Sequence, residues 1–500
     1  MTLKRRFFVL CTLAALVVYA NAETLVVLHT NDVHGNVLPY DRNDKGGMLR
    51  IKVVADSIRS AEKNVMLLDA GDDVQGFLYF SLFGGDVEYP LMEKMGYDVV
   101  TLGNHEFDNG LDRLADCYSR LSCPVVNANY TIAHKKLSER IKPFVIKRFA
   151  GKNIAVIGAG TDVSTVVSGD SGVGYSDPVA VVDSIATMLK LTRRADYVIA
   201  LTHLGYDSDN GNNSCYDIKL AKQSAAIDLI VGGHSHSVVG KGGLPNVVNN
   251  RYGKPVLIAQ TGNDGKRLGK IVIDLDNLDA LPETEFITID KRYDRPQPDV
   301  DKWLETYHAA VDSVMSIAVC RSSMDMPKGS AALGNFVADA IYDIAAGKSG
   351  LEIDLAVTNA GGIRSSLKKG VVSYGNIMMM VPFPNNIVVL EMDGALLQKC
   401  LDDIASTGGQ CQSRQLAFDI VDKKAANVTI NGKVIDPKKM YRVATISFVY
   451  EGKDNLVSFT NAKLVYKSEN VMKYDILDYV KSLDECGKML VTDTHFRFSK

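Results

Sequence analysis

Five apolar runs in the first half of the chain end in residues that bind metals or move protons. "TLVVLHTNDVHG" closes on Asp32 and His34, and "NVMLLDAGDDVQG" on Asp69, Asp72 and Asp73. "VVTLGNHEFD" closes on Asn104, His105 and Asp108, "DYVIALTHLG" on His203, and "IDLIVGGHSHS" on His234 and His236. Five of the nine histidines thus sit in strand-end clusters. A lone histidine is more often packed or surface-exposed than a ligand. Five of them, mixed with carboxylates and a carboxamide, reverse that expectation. Asp69 and Asp73, beside Gly71, also suit a turn; Asp72 directly follows the Ala-Gly pair and is the better ligand. His29, His134, His308 and His495 lack such neighbours and are read as structural. His105 stays open between ligand, acid and cap.

Imidazoles, carboxylates and one carboxamide, with no thiolate, describe a hard-to-borderline divalent site. Zn, Mn, Fe or Co would fit, whereas Mg prefers fewer imidazoles. Asp32, His34, Asp72, Asn104, His203, His234 and His236 come close to the roughly seven or eight positions that a pair of metals needs, and exceed the needs of one. A hydroxide held between two such metals would attack an electrophile, most naturally phosphorus.

Such a cluster needs elements that bring distant residues together. Short runs rich in Val, Ile and Leu suit buried strands. Open α/β sheets place their sites beyond the carboxyl ends of strands, so clusters about 200 residues apart in sequence can meet at one edge. Helix-like and strand-like patterns alternate along the chain and low-complexity tracts are absent, which points to a folded α/β protein. At 500 residues and 46% apolar content, two or three domains are expected. The formal charge is −3 and no large basic block occurs, which argues against a nucleic-acid partner.

The first residues read as an export signal. Lys4, Arg5 and Arg6 precede the apolar stretch Phe7 to Ala20, and Ala20-Asn21-Ala22 fits a small-x-small cleavage site. The run is short for a membrane span. Cleavage after residue 22 removes three positive charges and no acid, taking the formal charge from −3 to −6. Cys11 follows Leu10 rather than a small residue, so a lipid-anchored cysteine is not expected; nor is a C-terminal lipid anchor after "THFRFSK". Export, periplasmic or secreted, permits disulfides among the remaining cysteines. Cys117 and Cys400, spaced helically among leucines, read as core thiols.

In the second half, "RPQP" precedes residues 299–319, which place Val300, Trp303, Leu304, Tyr307, Val311 and Val314 on one helical face. A linker and a connecting helix are expected there. "LGNFVADAI" should start an amphipathic helix, and "IDLAVTNAGGIRSSL" should be a strand running into a Gly-Gly turn that carries Asn359 and Arg364. Such turns are common, but Gly361 and Gly362 allow close backbone approach and Arg364 offers a planar fork for phosphate.

DxH, GD, GNHE, a lone His and GHSH, in that order, resemble the calcineurin-like metallophosphoesterases. "LHTNDVHG", "GNHEFDNG" and "GGHSH", with "NAGGIR", "LGNF" and "VPFPNN" further on, narrow the resemblance to the 5′-nucleotidase family, over nearly all the mature chain. The resemblance implies an N-terminal four-layer α/β/β/α sandwich and a second α/β domain that binds substrate. The expected boundaries are 1–22 for the signal, 23–295 for the metallophosphoesterase domain, 296–322 for the linker helix and 323–500 for the C-terminal domain. It implies two divalent ions, with Zn, Mn or Co preferred over Mg. Asp32, His34 and His236 would hold one, Asn104, His203 and His234 the other, and Asp72 would bridge them.

His105 and Asp108 would form a catalytic dyad, His105 pointing away from the Asn104 ligand position and Asp108 orienting its imidazole. Its role would be to stabilise phosphoryl charge or protonate the leaving oxygen. Glu106 and Asn109 are weaker candidates, for both of which a helix-capping role is the bland reading. Phe448 and Asp454 keep the family's spacing for base stacking and ribose contact, against a bland reading as core Phe and turn Asp. Two departures stand out. No Arg precedes the "GN" helix, where Lys328 is the nearby cation, and "TGGQCQSRQLAF" lacks a ring where a second stacking aromatic is expected.

The implied function is an exported hydrolase of nucleoside 5′-phosphates, by attack of a metal-bound hydroxide on phosphorus. In the family, the C-terminal domain swings to carry substrate to the metals. The alternatives are a UDP-sugar or 2′,3′-cyclic nucleotide hydrolase, or a non-catalytic secreted nucleotide-binding protein. The partner is a small-molecule nucleotide; neither nucleic acid nor a stable membrane anchor is expected.

Overall fold

A computed structural model describes residues 23–38, 45–76, 78–163, 172–207, 215–383 and 385–499. The expected signal segment lies outside these residues.

Alternation along the strands dictates the layers of the N-terminal part. In Thr24–Thr30, Leu25 and Val27 face one apolar layer while Val26 and Leu28 face another. In Lys152–Gly160, Ile154 and Val156 share the first of those layers, and Ala155 and Ile157 face a third. Side chains with a period of two, apolar on both sides, require cover on both faces of each sheet. Two sheets therefore stack face to face, each covered by helices outside. The first runs Glu283–Thr288, Arg267–Asp274, Thr24–Thr30, Val65–Asp69, Val99–Val100, Val125–Val126 and Ile141–Lys142. The second runs Val238–Val239, Pro255–Thr261, Leu229–Val231, Tyr197–His203, Lys152–Gly160 and Phe144–Phe149. Helix Met48–Ala61 packs on the first, and Pro178–Leu191 on the second. This is the four-layer sandwich expected from the sequence.

Within each sheet the strands that end in candidate ligands are parallel to one another. Thr24–Thr30 pairs with Val65–Asp69, and that strand with Val99–Val100. Tyr197–His203 pairs with both Lys152–Gly160 and Leu229–Val231. Parallel pairing puts all their carboxyl ends on one edge of each sheet.

Helix Pro298–Ser316 follows, with Pro298 in its first turn. Of the expected face, Val300, Leu304 and Val311 are buried, and Trp303, Tyr307 and Val314 are partly buried against the same core. Tyr79 hydrogen-bonds His308, and Phe83 meets Tyr307 edge to face at 5.0 Å, so the helix is fastened to the N-terminal part. Strand Ala318–Ser322 already pairs with Gly370–Ser373.

The C-terminal part centres on a five-stranded sheet ordered Cys411–Gln412, Leu355–Thr358, Met440–Ile446, Asn386–Asp393 and Lys463–Val471. Helix Ala331–Ser349 corrects one expectation. Capped by Ser330 Oγ, which accepts from Leu333 N at 3.3 Å, it is buried on almost its whole circumference through Ala345 rather than amphipathic. The sheet covers one side and helix Met472–Glu485 another, and the partly exposed face left over carries Asp339 and Asp343, paired with Arg497 and Arg414.

All seven described cysteines are free, and Cys117 and Cys400 are core residues as expected. Among the described residues no helix is long and apolar enough to cross a membrane.

Candidate active site

Five of the seven candidate ligands occupy left-handed backbone: Asp32 at φ 51°, His34 at 53°, Asp72 at 57°, His234 at 79° and His236 at 54°. Non-glycine residues there cost of order 1–3 kcal/mol each and persist only where the surroundings fix them. Here the loops fix one another. Asp32 N donates to Gly71 O at 2.9 Å, His34 N to Asp72 O at 2.9 Å, and His234 N to Asp32 Oδ2 at 2.9 Å. A Cβ on Gly103 would run into Asp72, so only glycine lets the "GNHE" turn approach so closely.

The donors converge. Asp32, His34 and His236 bring ligand atoms within 4.8 Å of one another, as do Asp72, His203 and His234. His34 Nε2 lies 2.9 Å from His236 Nε2, and Asp32 Oδ1 3.4 Å from the same His236 nitrogen. Asn104 Oδ1 sits 2.9 Å from His234 Nδ1. His203 supplies the test of fit. Its Nδ1 is committed to Ala70 O at 2.7 Å. Its fully buried Nε2 lies 3.2 Å from Asp72 Oδ2 yet has no hydrogen-bond partner. A buried ring nitrogen between two carboxylates and beside a second imidazole, with the other ring nitrogen already bonded, is a place that a divalent cation satisfies. Burial, reinforced by the neighbouring histidine, holds His34 down to about 3 and His234 down to about 4, so both are neutral donors. Burial opposes the charge on Asp32, but His236 and His203 hold its carboxyl down to about 2.

His105 Nδ1 meets Asp108 Oδ2 at 2.9 Å, the predicted pair. Burial disfavours the imidazolium, but Asp108 and Asp72 overcome it and push His105 up to about 9. The ring lines the central cavity. His34, Asp72 and His105 also form a third group of close donors. Glu106 is not a helix cap. Its carboxylate accepts from Asp72 N at 3.0 Å, Asp73 N at 2.9 Å and Gly103 N at 2.6 Å, clamping two ligand loops together. Asp69 is the expected turn residue, its Oδ1 accepting from Gly71 N at 2.7 Å.

A cavity of about 320 Å³ opens onto these groups and is closed from the other side by the C-terminal part. Asp72, Asn104, His105, Asp108, His234 and His236 line one wall; Asn359, Arg364, Phe448 and Asp454 line the other. Asn359 Nδ2 donates to Asp454 Oδ2 at 2.7 Å, linking two residues 95 positions apart. Asp32, His34 and His203 are buried and are not part of the lining. Lys328 is not part of the lining.

Two lining residues escaped the sequence reading. Phe383 has the Arg364 guanidinium over its ring at 5.6 Å and the His105 ring 5.6 Å away. Asn385 stands beside it on the same wall. Both belong to "VPFPNN", a stretch whose apolar-proline texture carries no chemical signal of its own.

A description of calcineurin-like phosphoesterases matches residues 25–238, and one of the 5′-nucleotidase C-terminal domain matches residues 308–462. The chain is 28% identical to Protein UshA of Yersinia enterocolitica, over 88% of this chain and 89% of that one. It is also 28% identical to the trifunctional nucleotide phosphoesterase YfkN of Bacillus subtilis, over 88% of this chain but only 32% of that longer protein. The solved structure of a 5′-nucleotidase precursor from Thermus thermophilus superposes with a TM-score of 0.83 at 26% identity, covering 95% of this chain and 99% of the other. With both matches in order and this fold, the chain belongs to the 5′-nucleotidase family, a calcineurin-like phosphoesterase joined to a 5′-nucleotidase C-terminal domain, and is a hydrolase of phosphoesters.

Proposed function

We propose that the protein is an exported hydrolase of nucleoside 5′-phosphates that works with two divalent cations. The observation that carries the reading is the composition of one cavity. Its inner wall offers metal donors and the His105–Asp108 pair, and its outer wall offers a guanidinium, an aromatic ring and a carboxylate. A nucleotide presents a matching series: phosphate, then ribose hydroxyls, then a flat base.

Asp32, His34 and His236 would hold one cation, Asn104, His203 and His234 the other, with Asp72 shared. Cations bound there would neutralise phosphoryl charge and supply activated water at neutral pH. The chain's own residues do the rest. Asp108 holds the His105 ring so that Nε2 faces the cavity, where it can donate to a phosphoryl oxygen or to the departing ribose oxygen. Arg364 offers parallel N–H groups to phosphate, and the Phe383 ring beneath it keeps the fork in place and excludes water. Phe448 would stack on the base, and the Asn359-anchored carboxylate of Asp454 would accept from ribose hydroxyls. Removal of residues 1–22 during export completes the reading.

Initial rates on AMP, ADP, UDP-glucose, 2′,3′-cyclic AMP and a sugar phosphate test it. Highest kcat/KM on the nucleoside monophosphate is expected. Preference for the diphosphate sugar or the cyclic nucleotide would reassign the substrate while leaving the metal chemistry in place.

A further inference from the structure

Gln75 plays no part in the reading above, yet its placement is unusual in three ways. It sits three residues after Asp72, it is 2% exposed, and its backbone is left-handed at φ 75°. Its Oε1 accepts from Gly76 N at 2.7 Å, which fixes which end of the amide is which. The nitrogen therefore faces outward, and Nε2 donates to Asp108 Oδ2 at 2.9 Å. That is the same oxygen that takes the His105 Nδ1 contact at 2.9 Å.

We propose that Gln75 is a positioning residue of the active site, which pins Asp108 through Oδ2 and thereby sets the orientation of His105. The inference rests on the reading of His105 and Asp108 as the catalytic dyad. Two donors on one carboxylate oxygen restrict Asp108 to a single rotamer. A carboxylate held only by His105 could turn together with the ring, and the ring would lose its fixed aim at the cavity. The backbone supports the same view. A left-handed glutamine is strained where glycine would not be, and strained positions gather where a side chain must be held for function. The following Gly76, at φ 111°, carries the loop past His34, so the amide also ties the dyad to the loop of the metal donors.

The test is a double-mutant cycle on the full chain loaded with Mn, with AMP as substrate and metal content measured for each variant. Gln75→Gly removes the amide and suits the left-handed backbone, so it is the variant least expected to disturb folding. Gln75→Glu keeps the length and the acceptor for Gly76 but cannot donate when ionised. Each should lower kcat roughly ten-fold to a hundred-fold, the range for a hydrogen bond to a charged group, with KM within about three-fold and metal content unchanged. In an Asp108→Ala background, Gln75→Gly should cost less than about two-fold, because its target is gone. The inference is overturned if Gln75→Gly leaves kcat unchanged, if its loss is equally large in both backgrounds, or if the loss follows metal content. An unchanged kcat in Asp108→Ala alone would overturn the dyad reading, and the inference with it.

Discussion

At the scale of single residues, the proposed ligand role of His203 and His34 and the proposed catalytic role of His105 differ in what each side chain can still reach. The Nε2 atoms of His203 and His34 face a carboxylate and another imidazole inside the fold, whereas His105 lines the cavity and leans on Asp108. His105→Ala should therefore keep its metals and lower kcat by roughly 10²–10⁴, the span for acid–base and electrostatic groups. Asp108→Ala should act in the same direction and less. Metal loss in His105→Ala, with kcat intact in the remetallated fraction, would make His105 a ligand instead. Phe448 lines the cavity from the C-terminal part. Phe448→Ala should raise KM for AMP by a factor corresponding to about 1–3 kcal/mol of lost stacking and leave 4-nitrophenyl phosphate nearly untouched. Equal losses on both substrates would return Phe448 to the core.

Elements explain why much of the site could be read from the chain alone. Buried parallel strands announce themselves as short Val, Ile and Leu runs, and their carboxyl ends are where sites form, so the meeting of Asp32, Asp72, Asn104, His203 and His234 can be read from position alone. What the sequence hid was made by turns and packing. Glu106 looks like a cap but accepts from three backbone N–H groups across two loops, a contact that depends on both loops bending into place. Phe383 acquires its role only when the C-terminal part closes over His105. Helix Ala331–Ser349 read as amphipathic because its neighbours on the second side come from far along the chain.

Glu106→Gln turns an NH₂ toward some of those donors, and each unsatisfied buried N–H costs about 1–3 kcal/mol. Chemical denaturation of the metal-free protein should show that loss, and metal affinity should fall with it; unchanged stability would remove the clamp from the account. His29 gives a second element-level test. It is buried in strand Thr24–Thr30, packed over Gly269 of the antiparallel neighbour, and burial holds it down to about 3 from 6.5. A histidine kept neutral in the fold contributes stability that is full above pH 6.5 and is lost as pH falls toward about 3. His29→Leu should flatten the acid limb of the metal-free protein's stability between those limits. An unchanged slope would mean that other groups carry it.

On the scale of the whole molecule, the candidate metal donors and the proposed substrate-binding residues come from different halves of the chain and meet in one cavity. Helix Pro298–Ser316 holds the halves in register by packing on Tyr79 and Phe83, and by setting Met315 against Gly375 of the segment that leads to Phe383. Binding of base and ribose on the C-terminal wall can then be used to orient phosphate at the metals, which is where remote contacts raise kcat rather than affinity alone. In the proposed function this cavity works with two cations, and Asp72 would be offered to both. The most direct test is to strip the protein of metal and titrate Mn or Zn back while following both bound metal and AMP hydrolysis. Activity should rise to its plateau as bound metal approaches two per chain, and Asp72→Ala should fail to reach that plateau. Full activity at one bound metal per chain would contradict the account.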